Sequence, residues 1–154
     1  MAIATRIRDY LENHHIPYQL VHHPYAETAR GCAEAAHIPP ARMTKAVLLK
    51  DDQGYLLALV PADRSINLNT LGLRTNRILR TASQREVKEL FDDCTRGAVP
   101  AIGQAYDLRL IWDEQIVQQP DCYLEAGDHE ELVYLSRKEF QALMENRDHG
   151  QICH

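Results

Sequence analysis

Residues 45–61, KAVLLKDDQGYLLALVP, decide the fold, because they place two apolar runs on either side of an Asp-Asp-Gln-Gly turn. This pattern is typical of a β-hairpin, and Gly54 occupies the turn position that most needs a positive φ angle. Both runs are apolar on both faces, as in strands that are covered on two sides. We therefore expect the hairpin at the centre of a buried sheet.

Helix and strand patterns alternate on both sides of the hairpin. Ile7 and Leu11 belong to an apolar stripe at helical spacing, and Thr28 is a suitable N-cap for a second short helix. Serine–glutamate pairs with capping-box spacing open helices over residues 84–91 and 137–144. Three short β-prone runs lie between these two helices, at residues 107–112, 121–127 and 131–136.

This order of elements predicts an α/β, or α+β, fold. We expect a mixed, largely antiparallel sheet with helices packed against it. The chain of 154 residues is short enough for one domain, which we place over residues 1–145. Residues 146–154 are expected to form a flexible tail.

Composition excludes several classes of protein. The chain has 17 basic and 22 acidic residues, which argues against a protein that coats nucleic acid by charge alone. Residues 64–88 differ from the rest, because they hold six basic side chains and one acidic one. This basic segment is either a patch that faces phosphates or an ordinary solvated surface, and the sequence leaves both interpretations open.

The cysteines and histidines do not form a recognisable metal or disulfide pattern. The four cysteines include no C-x-x-C pair, and the charged N-terminal stretch is not followed by an apolar run, so we expect a reduced, cytoplasmic protein. No run approaches the roughly 20 apolar residues that a membrane-spanning helix needs. Adjacent histidines point in different directions, and further ligands do not recur at zinc spacing. We therefore expect no metal and no cofactor.

Two features could carry chemistry. Lys45 shares a strand face with Val47 and Leu49, so its ammonium group either reaches the rim of the sheet or meets an anion. Gly97 and Gly103 flank Pro100 in a loop that could turn backbone N–H groups outward as a cradle for an anion or oxyanion. The same loop could be only a tight connection.

Three stretches together resemble the YbaK/EbsC family, which is similar to the editing insertion domain of bacterial prolyl-tRNA synthetases. They are TKAVLLKDDQGYLLALVPADRSINLNTL, RGAVPAIGQAY and YLEAGDHEELVYLSRKEF. The resemblance covers nearly the whole chain and implies a partly barrel-like sheet. It also implies hydrolysis of the ester that joins a wrong, small amino acid to the terminal adenosine of a tRNA, without a cofactor.

The resemblance also implies roles for individual residues. Lys45 matches the family lysine that meets the adenosine end or its phosphate. A glycine-to-proline loop supplies backbone amides for the aminoacyl carbonyl, and its counterparts here are Gly97, Ala98, Val99 and Pro100. The family's usual loop has three residues between glycine and proline, whereas this chain has two, with Arg96 in place of the expected first glycine.

Further residues are predicted to contact the substrate. His129 resembles a histidine that lines the amino-acid pocket in some family members, and the other candidates for the pocket are Gly103, Gly127, Tyr25 and Thr28. Asp63 and Arg64 either close the rim of the pocket or form a structural turn. In the basic segment, Arg74, Arg77 and Arg80 are the candidates for contact with tRNA phosphates.

Two functions remain open at this point. The first is a free-standing hydrolase that edits aminoacyl-tRNA at its acceptor end, with tRNA and not DNA as the nucleic-acid partner. The second is a non-catalytic module of the same fold that binds an aminoacyl-adenosine-like ligand or a synthetase. A cysteine mechanism with Cys94 and His129 is a weaker alternative, because the family requires no thiol and an aminoacyl ester is already labile.

Overall fold

The computed structural model describes residues 3–154, which form five α-helices, three short 3-10 helices and eight strands. The α-helices are α1 (Thr5–Asn13), α2 (Ala29–Ala35), α3 (Leu68–Thr75), α4 (Gln84–Leu90) and α5 (Arg137–Leu143). The strands are β1 (Gln19–His22), β2 (Met43–Asp51), β3 (Gly54–Pro61), β4 (Arg80–Thr81), β5 (Leu110–Asp113), β6 (Asp121–Glu125), β7 (Glu131–Ser136) and β8 (Asp148–Gly150). Single 3-10 turns cover Pro40–Arg42, Gly103–Tyr106 and Glu114–Gln118.

All eight strands belong to one mixed sheet with the order β1-β7-β6-β2-β3-β5-β8, and β4 pairs with β2. The hairpin of β2 and β3 is central, as the sequence predicts, and its register runs from Thr44–Pro61 to Asp51–Gly54. Gly54 has φ +129°, and the Asp51 side chain accepts hydrogen bonds from the amides of Gln53 and Gly54. The predicted fold class, with a mostly antiparallel sheet flanked by helices, is confirmed.

The hairpin is covered on both faces because its apolar residues alternate between two cores. Leu48, Leu57 and Leu59 pack into the larger core with residues of α1, α4 and α5. Leu49 and Leu56 point to the opposite face, where α3 contributes Leu71 and the chain end contributes Ile152. Each buried side chain of this size contributes about 1.5–3 kcal/mol of burial free energy, so the hairpin anchors both layers.

The predicted helix starts are also confirmed. The side chains of Ser83 and Ser136 each accept a hydrogen bond from the amide of the residue three positions later, and the carboxylate of the glutamate there accepts one from the serine amide. Thr28 caps α2 by accepting a hydrogen bond from the amide of Gly31 at 2.9 Å. Among residues 3–154, no helix is long and apolar enough to cross a bilayer.

The C-terminal residues correct one prediction, because they pack against the sheet and do not form a flexible tail. Strand β8 pairs in parallel with β5, and the Asp113 carboxylate accepts a hydrogen bond from the amide of Ile152 at 2.8 Å. Ser65 and His154 exchange two backbone hydrogen bonds. The side chain of Ile152 is fully buried, and this burial stabilises the packed position of the segment.

Arg77 corrects a second prediction, because its side chain is 4% exposed and is therefore not available to a tRNA phosphate. Its guanidinium donates two hydrogen bonds to the Asp51 carboxylate, at 2.8 and 2.6 Å, and a third to the carbonyl of Gly54. The pair ties the segment after α3 to the hairpin turn. Because these bonds favour the charged carboxylate, they lower the pKa of Asp51 from its ordinary 3.8 to about 2.

Replacing Arg77 with alanine is expected to lower the melting temperature by about 5–10 °C, because it leaves a buried carboxylate unpaired. Differential scanning calorimetry of wild type and Arg77→Ala measures this change. Arg85→Ala is the matched control, since Arg85 forms an exposed ion pair with Glu89 and its loss should change the melting temperature by less than 2 °C. Equal melting temperatures for wild type and Arg77→Ala would contradict the structural role.

The same pair predicts how stability changes in acid. The folded-state pKa of Asp51 is below its unfolded value, so its contribution is complete above about pH 4 and is lost as pH falls towards 2. Melting curves between pH 5 and 2 should fall more steeply for wild type than for Asp51→Asn, which has no carboxyl group to protonate. Parallel curves would show that other carboxylates dominate the acid transition.

Candidate functional site

Two adjoining clefts lie at the N-terminal end of α2. The first, which we call the glycine-loop cleft, has a volume of about 460 Å³ and is lined by Tyr25, Glu27, Thr28, Gln84, Thr95, Arg96, Gly97 and His129. The second, the lysine cleft, has a volume of about 250 Å³ and is lined by Thr28, Ala29, Arg30, Lys45, Ala62, Asp63, Arg64 and Ser65. Thr28 lines both clefts and therefore marks the place where they meet.

The lysine cleft presents three cationic side chains, from Arg30, Lys45 and Arg64, and one carboxylate from Asp63. The Lys45 ammonium group donates a 2.7 Å hydrogen bond to the carbonyl of Arg64, which holds it at the mouth of the cleft. Burial lowers the pKa of Lys45, and the charge of Arg30 adds to this effect. The net positive charge suits an anionic ligand such as a phosphate.

The glycine loop is anchored to the turn after β6. Thr95 donates its amide hydrogen to the carbonyl of Gly127 at 2.6 Å, and Ala101 donates to the carbonyl of Glu125 at 3.0 Å. Gly97 lies between these anchors with φ +81°, a conformation that favours glycine. The exposed turn at Gly97 is thereby fixed against the rest of the site.

Only part of the loop can donate hydrogen bonds to a ligand. The amide of Ala98 already donates to the carbonyl of Thr95 at 3.0 Å, and Pro100 has no N–H group. Within residues 3–154, the amides of Gly97 and Val99 have no hydrogen-bond acceptor, and Gly97 lines the cleft. This corrects the expectation for Ala98 and leaves Gly97 as the leading backbone donor.

The turn after β6 places His129 in the wall of the glycine-loop cleft. The buried Glu125 carboxylate accepts hydrogen bonds from the amides of Gly127 and His129, at 3.4 and 3.2 Å. His129 is 2% exposed, and its Nε2 lies 3.1 Å from the carbonyl of Arg96. Because a carbonyl oxygen can only accept, this contact requires a proton on Nε2. The imidazole therefore links the two loops of the site.

Tyr25 and Thr28 also line this cleft. The ring of Tyr25 packs edge-on against that of His129, with 5.4 Å between ring centroids. The backbone of Ala26 adds a 3.2 Å hydrogen bond to the carbonyl of His129. The structure therefore brings together four residues that the sequence proposes for one site: Tyr25, Thr28, Gly97 and His129.

Two glycines of the predicted pocket have structural positions outside the clefts. A Cβ atom on Gly103 would lie 2.9 Å from Leu57 Cδ2, so this glycine allows close packing in the core. A Cβ atom on Gly127 would lie 2.8 Å from Cys94 Sγ, and its φ is +106°. Neither glycine lines either cleft, which corrects their predicted substrate contacts.

Cys94 is a poor candidate for a nucleophile. Its thiol is within hydrogen-bond distance of the Tyr106 hydroxyl, at 3.4 Å, and of the Asp93 carboxylate, at 3.7 Å. Burial raises the pKa of the Cys94 thiol to about 12, so the reactive thiolate is scarce at neutral pH.

Cys94→Ser is therefore expected to retain at least half of any deacylation rate. The measurement is release of labelled amino acid at equal concentrations of folded wild type and variant. Because the substitution also changes packing against Gly127, melting temperatures provide the control. If Cys94→Ser lowered the deacylation rate 100-fold without changing the melting temperature, the thiol would take part in the mechanism.

The other two arginines predicted to contact tRNA, Arg74 and Arg80, have partners within the chain. Arg74 donates a hydrogen bond to the carbonyl of His149 and so helps to hold β8. Arg80 makes two hydrogen bonds with the Glu86 carboxylate, at 2.9 and 3.0 Å, but its side chain is 57% exposed. Arg80 therefore remains accessible to a phosphate.

Several residues of the site had no role in the sequence analysis. Glu27 and Arg30 flank the cap of α2, and Glu125 and Asp128 support the turn that carries His129. The acidic residues on either side of Ala126-Gly127 were the available signal for the turn. Within the described residues, no group of three or more His, Cys, Asp or Glu side chains is arranged to hold a metal ion.

The sequence of the chain matches a known domain family and a known synthetase. The family model of the aminoacyl-tRNA editing domain matches residues 23–143. The chain is 29% identical over 76 residues to the proline–tRNA ligase of Pseudothermotoga lettingae, a match that covers 49% of this chain and 13% of the ligase.

Two solved structures share the fold. One is of a protein provisionally assigned as a trans-editing enzyme for prolyl tRNA synthetase, with TM-score 0.82, 24% identity and coverage of 97% of this chain and 95% of the other. The other is the hypothetical protein APE2540, with TM-score 0.85, 17% identity and coverage of 97% and 99%. The match to the family model extends from His23, before the glycine-loop cleft, through the hairpin and both loops to α5, and the chain therefore belongs to the aminoacyl-tRNA editing domain family.

Proposed function

We propose that this protein is a hydrolase that removes a wrongly attached, small amino acid from tRNA by cleaving the ester to the terminal adenosine. The observation that carries the proposal is the pair of clefts that meet at Thr28. The lysine cleft offers positive charge for the phosphate of the tRNA end, and the glycine-loop cleft offers an unoccupied amide for the ester carbonyl. The two clefts together suit an aminoacyl-adenosine end.

The proposed chemistry uses placement and a polarised carbonyl. The Gly97 amide donates a hydrogen bond to the carbonyl oxygen, which gains negative charge as water attacks the carbon. One such donor contributes about 2.7–4 kcal/mol to a transition state of this kind. The bond between the carbonyl carbon and the ribose oxygen then breaks, and the ribose oxygen takes a proton, so that free amino acid and tRNA leave. The family resemblance adds help from the neighbouring ribose hydroxyl.

The proposed partner is the acceptor end of an aminoacyl-tRNA in the cytoplasm. Arg80 is accessible and extends the positive surface of the basic segment, so we place tRNA phosphates there. A synthetase that releases mischarged tRNA is a further candidate partner. The size of the glycine-loop cleft, bounded by Tyr25 and His129, would then select small side chains.

A binding module without catalysis is the second candidate function. The observation that favours it is the short glycine loop, in which Ala98 uses its amide within the loop. Of residues 97–100, all of them described by the structure, Gly97 is the one that lines the cleft with a free amide. Such a module would hold an aminoacyl-adenosine end or a synthetase without hydrolysing the ester.

The test is release of labelled amino acid from a panel of mischarged tRNAs that carry small amino acids. Wild-type protein is compared with the spontaneous rate and with correctly charged tRNA. Selective release at least 10-fold above the spontaneous rate from one panel member supports the hydrolase and identifies its substrate. Tight binding of the panel members with only spontaneous release would support the binding module and overturn the hydrolase.

A further inference from the structure

The glycine-loop cleft contains a carboxylate that the proposed chemistry does not use. Of the eight residues that line this cleft, Glu27 is the one with a negative charge. It lies between Tyr25 and the α2 cap residue Thr28, in the same cleft as Gly97 and His129. A ligand whose carbonyl meets the Gly97 amide would therefore lie in the same cleft as this carboxylate.

Glu27 is tied to the wall of the cleft by Tyr25. The tyrosine hydroxyl donates a 3.2 Å hydrogen bond to Glu27 Oε1, and the tyrosine ring packs against His129. Burial raises the pKa of Tyr25, and the charges of Glu27 and Glu130 raise it further, so the hydroxyl keeps its proton and remains a donor. Among the described residues, no Lys, Arg or His side chain forms an ion pair with Glu27.

An aminoacyl ester carries a positive charge next to its carbonyl. At neutral pH its α-amino group is an ammonium ion on the carbon that bears the carbonyl group. We propose that Glu27 binds this α-ammonium group, so that the cleft selects esters of α-amino acids over neutral esters of the same size. The inference rests on the proposed function for the identity of the ligand, but it concerns recognition and not bond cleavage.

The first experiment measures binding with two stable adenosine analogues of equal size. In 3′-alanylamino-3′-deoxyadenosine an amide replaces the ester, and the α-ammonium group is present; in 3′-lactylamino-3′-deoxyadenosine a neutral hydroxyl takes its place. Wild type is expected to bind the alanyl analogue about fivefold more tightly, which is the upper end of the range for one exposed ion pair. The affinities of Glu27→Gln for the two analogues should differ by less than twofold.

The matched control is Glu34→Gln, which removes the same charge from an exposed residue of α2 outside both clefts. This variant should keep the fivefold preference of wild type. If Glu27→Gln also keeps it, or if wild type binds the two analogues equally or binds neither, the inference is overturned. Titration calorimetry gives both affinities directly, without any need for turnover.

The second experiment uses hydrolysis and separates the two proposals. The tRNA ester that wild type cleaves fastest is converted to its α-hydroxy counterpart with nitrous acid, and both rates are divided by their spontaneous rates. Loss of the preference for the amino form in Glu27→Gln supports the inference, whereas hydrolysis with an unchanged preference overturns it and leaves the hydrolase standing. An ammonium preference in binding that Glu27→Gln abolishes, without hydrolysis by wild type, would instead overturn the hydrolase alone.

Discussion

Gly97→Val is expected to lower the rate of deacylation by at least about 100-fold while the protein remains folded. Gly97 has φ +81°, which a β-branched residue adopts only with strain, so the loop would move and its free amide would no longer point at the carbonyl oxygen. Loss of one oxyanion donor costs about 2.7–4 kcal/mol of transition-state stabilisation, or about 100- to 1,000-fold in rate. The deacylation rates of wild type and Gly97→Val are measured by single-turnover release of labelled amino acid.

Gly54→Val is the matched control for this substitution. Gly54 also has a positive φ, and a Cβ atom there meets nothing within 4 Å, but it lies in the hairpin turn away from both clefts. Its backbone strain should lower the melting temperature without changing the single-turnover rate of the folded protein. If Gly97→Val kept more than a tenth of the wild-type rate, the loop amide would have no place in the mechanism.

Lys45→Ala is expected to lower kcat/KM by about 30- to 100-fold, mainly by raising KM. Its ammonium group is half-buried in the lysine cleft and lies beside Arg30 and Arg64, so it would meet the tRNA-end phosphate in a partly desolvated place. If the contact is a phosphate contact, the plot of log affinity against log salt should become shallower by about 0.7–0.9. Binding measured between 50 and 300 mM salt tests this slope.

Lys45→Arg and Lys138→Ala distinguish the role of charge from that of structure. Lys45→Arg keeps the charge and should recover much of the salt dependence. Lys138 is exposed on α5 outside both clefts, so Lys138→Ala should leave affinity within twofold of wild type. Loss of activity in Lys45→Ala with an unchanged salt slope and a lower melting temperature would mean that the hydrogen bond to Arg64 is only structural.

The central parts of the fold could be predicted because their signals are local. The hairpin turn contains its own Asx side chain and a glycine with positive φ, and both capping boxes complete their hydrogen bonds within four residues. The sequence did not predict strand β1 or helix α3, because neither has a strong local signal. Most of β1 is exposed, and α3 buries only Leu71, so neither has a strong apolar period.

The position of a residue in the clefts could be predicted where its own local sequence, a loop glycine, a strand-end lysine or a histidine after the Ala-Gly step, singles it out. Gly97, His129 and Lys45 are of this kind. Arg77 was misplaced because its partner, Asp51, lies 26 residues earlier, and no local pattern marks such a pair. Gly103 and Gly127 look like loop glycines in the sequence, whereas packing against Leu57 and Cys94 explains them.

Strand β8 also implies an order of folding. The hairpin closes a turn of a few residues, but the pairing of Ile111 with Asp148 and the bridge between Ile66 and Cys153 join distant parts of the chain. Contacts of such sequence separation form slowly, and three-residue edge strands open readily, so hydrogen exchange should be slowest in the hairpin and fast in β8. Since His154 is bonded to Ser65 at the lysine cleft, each opening of the last strand would loosen the cleft without unfolding the hairpin.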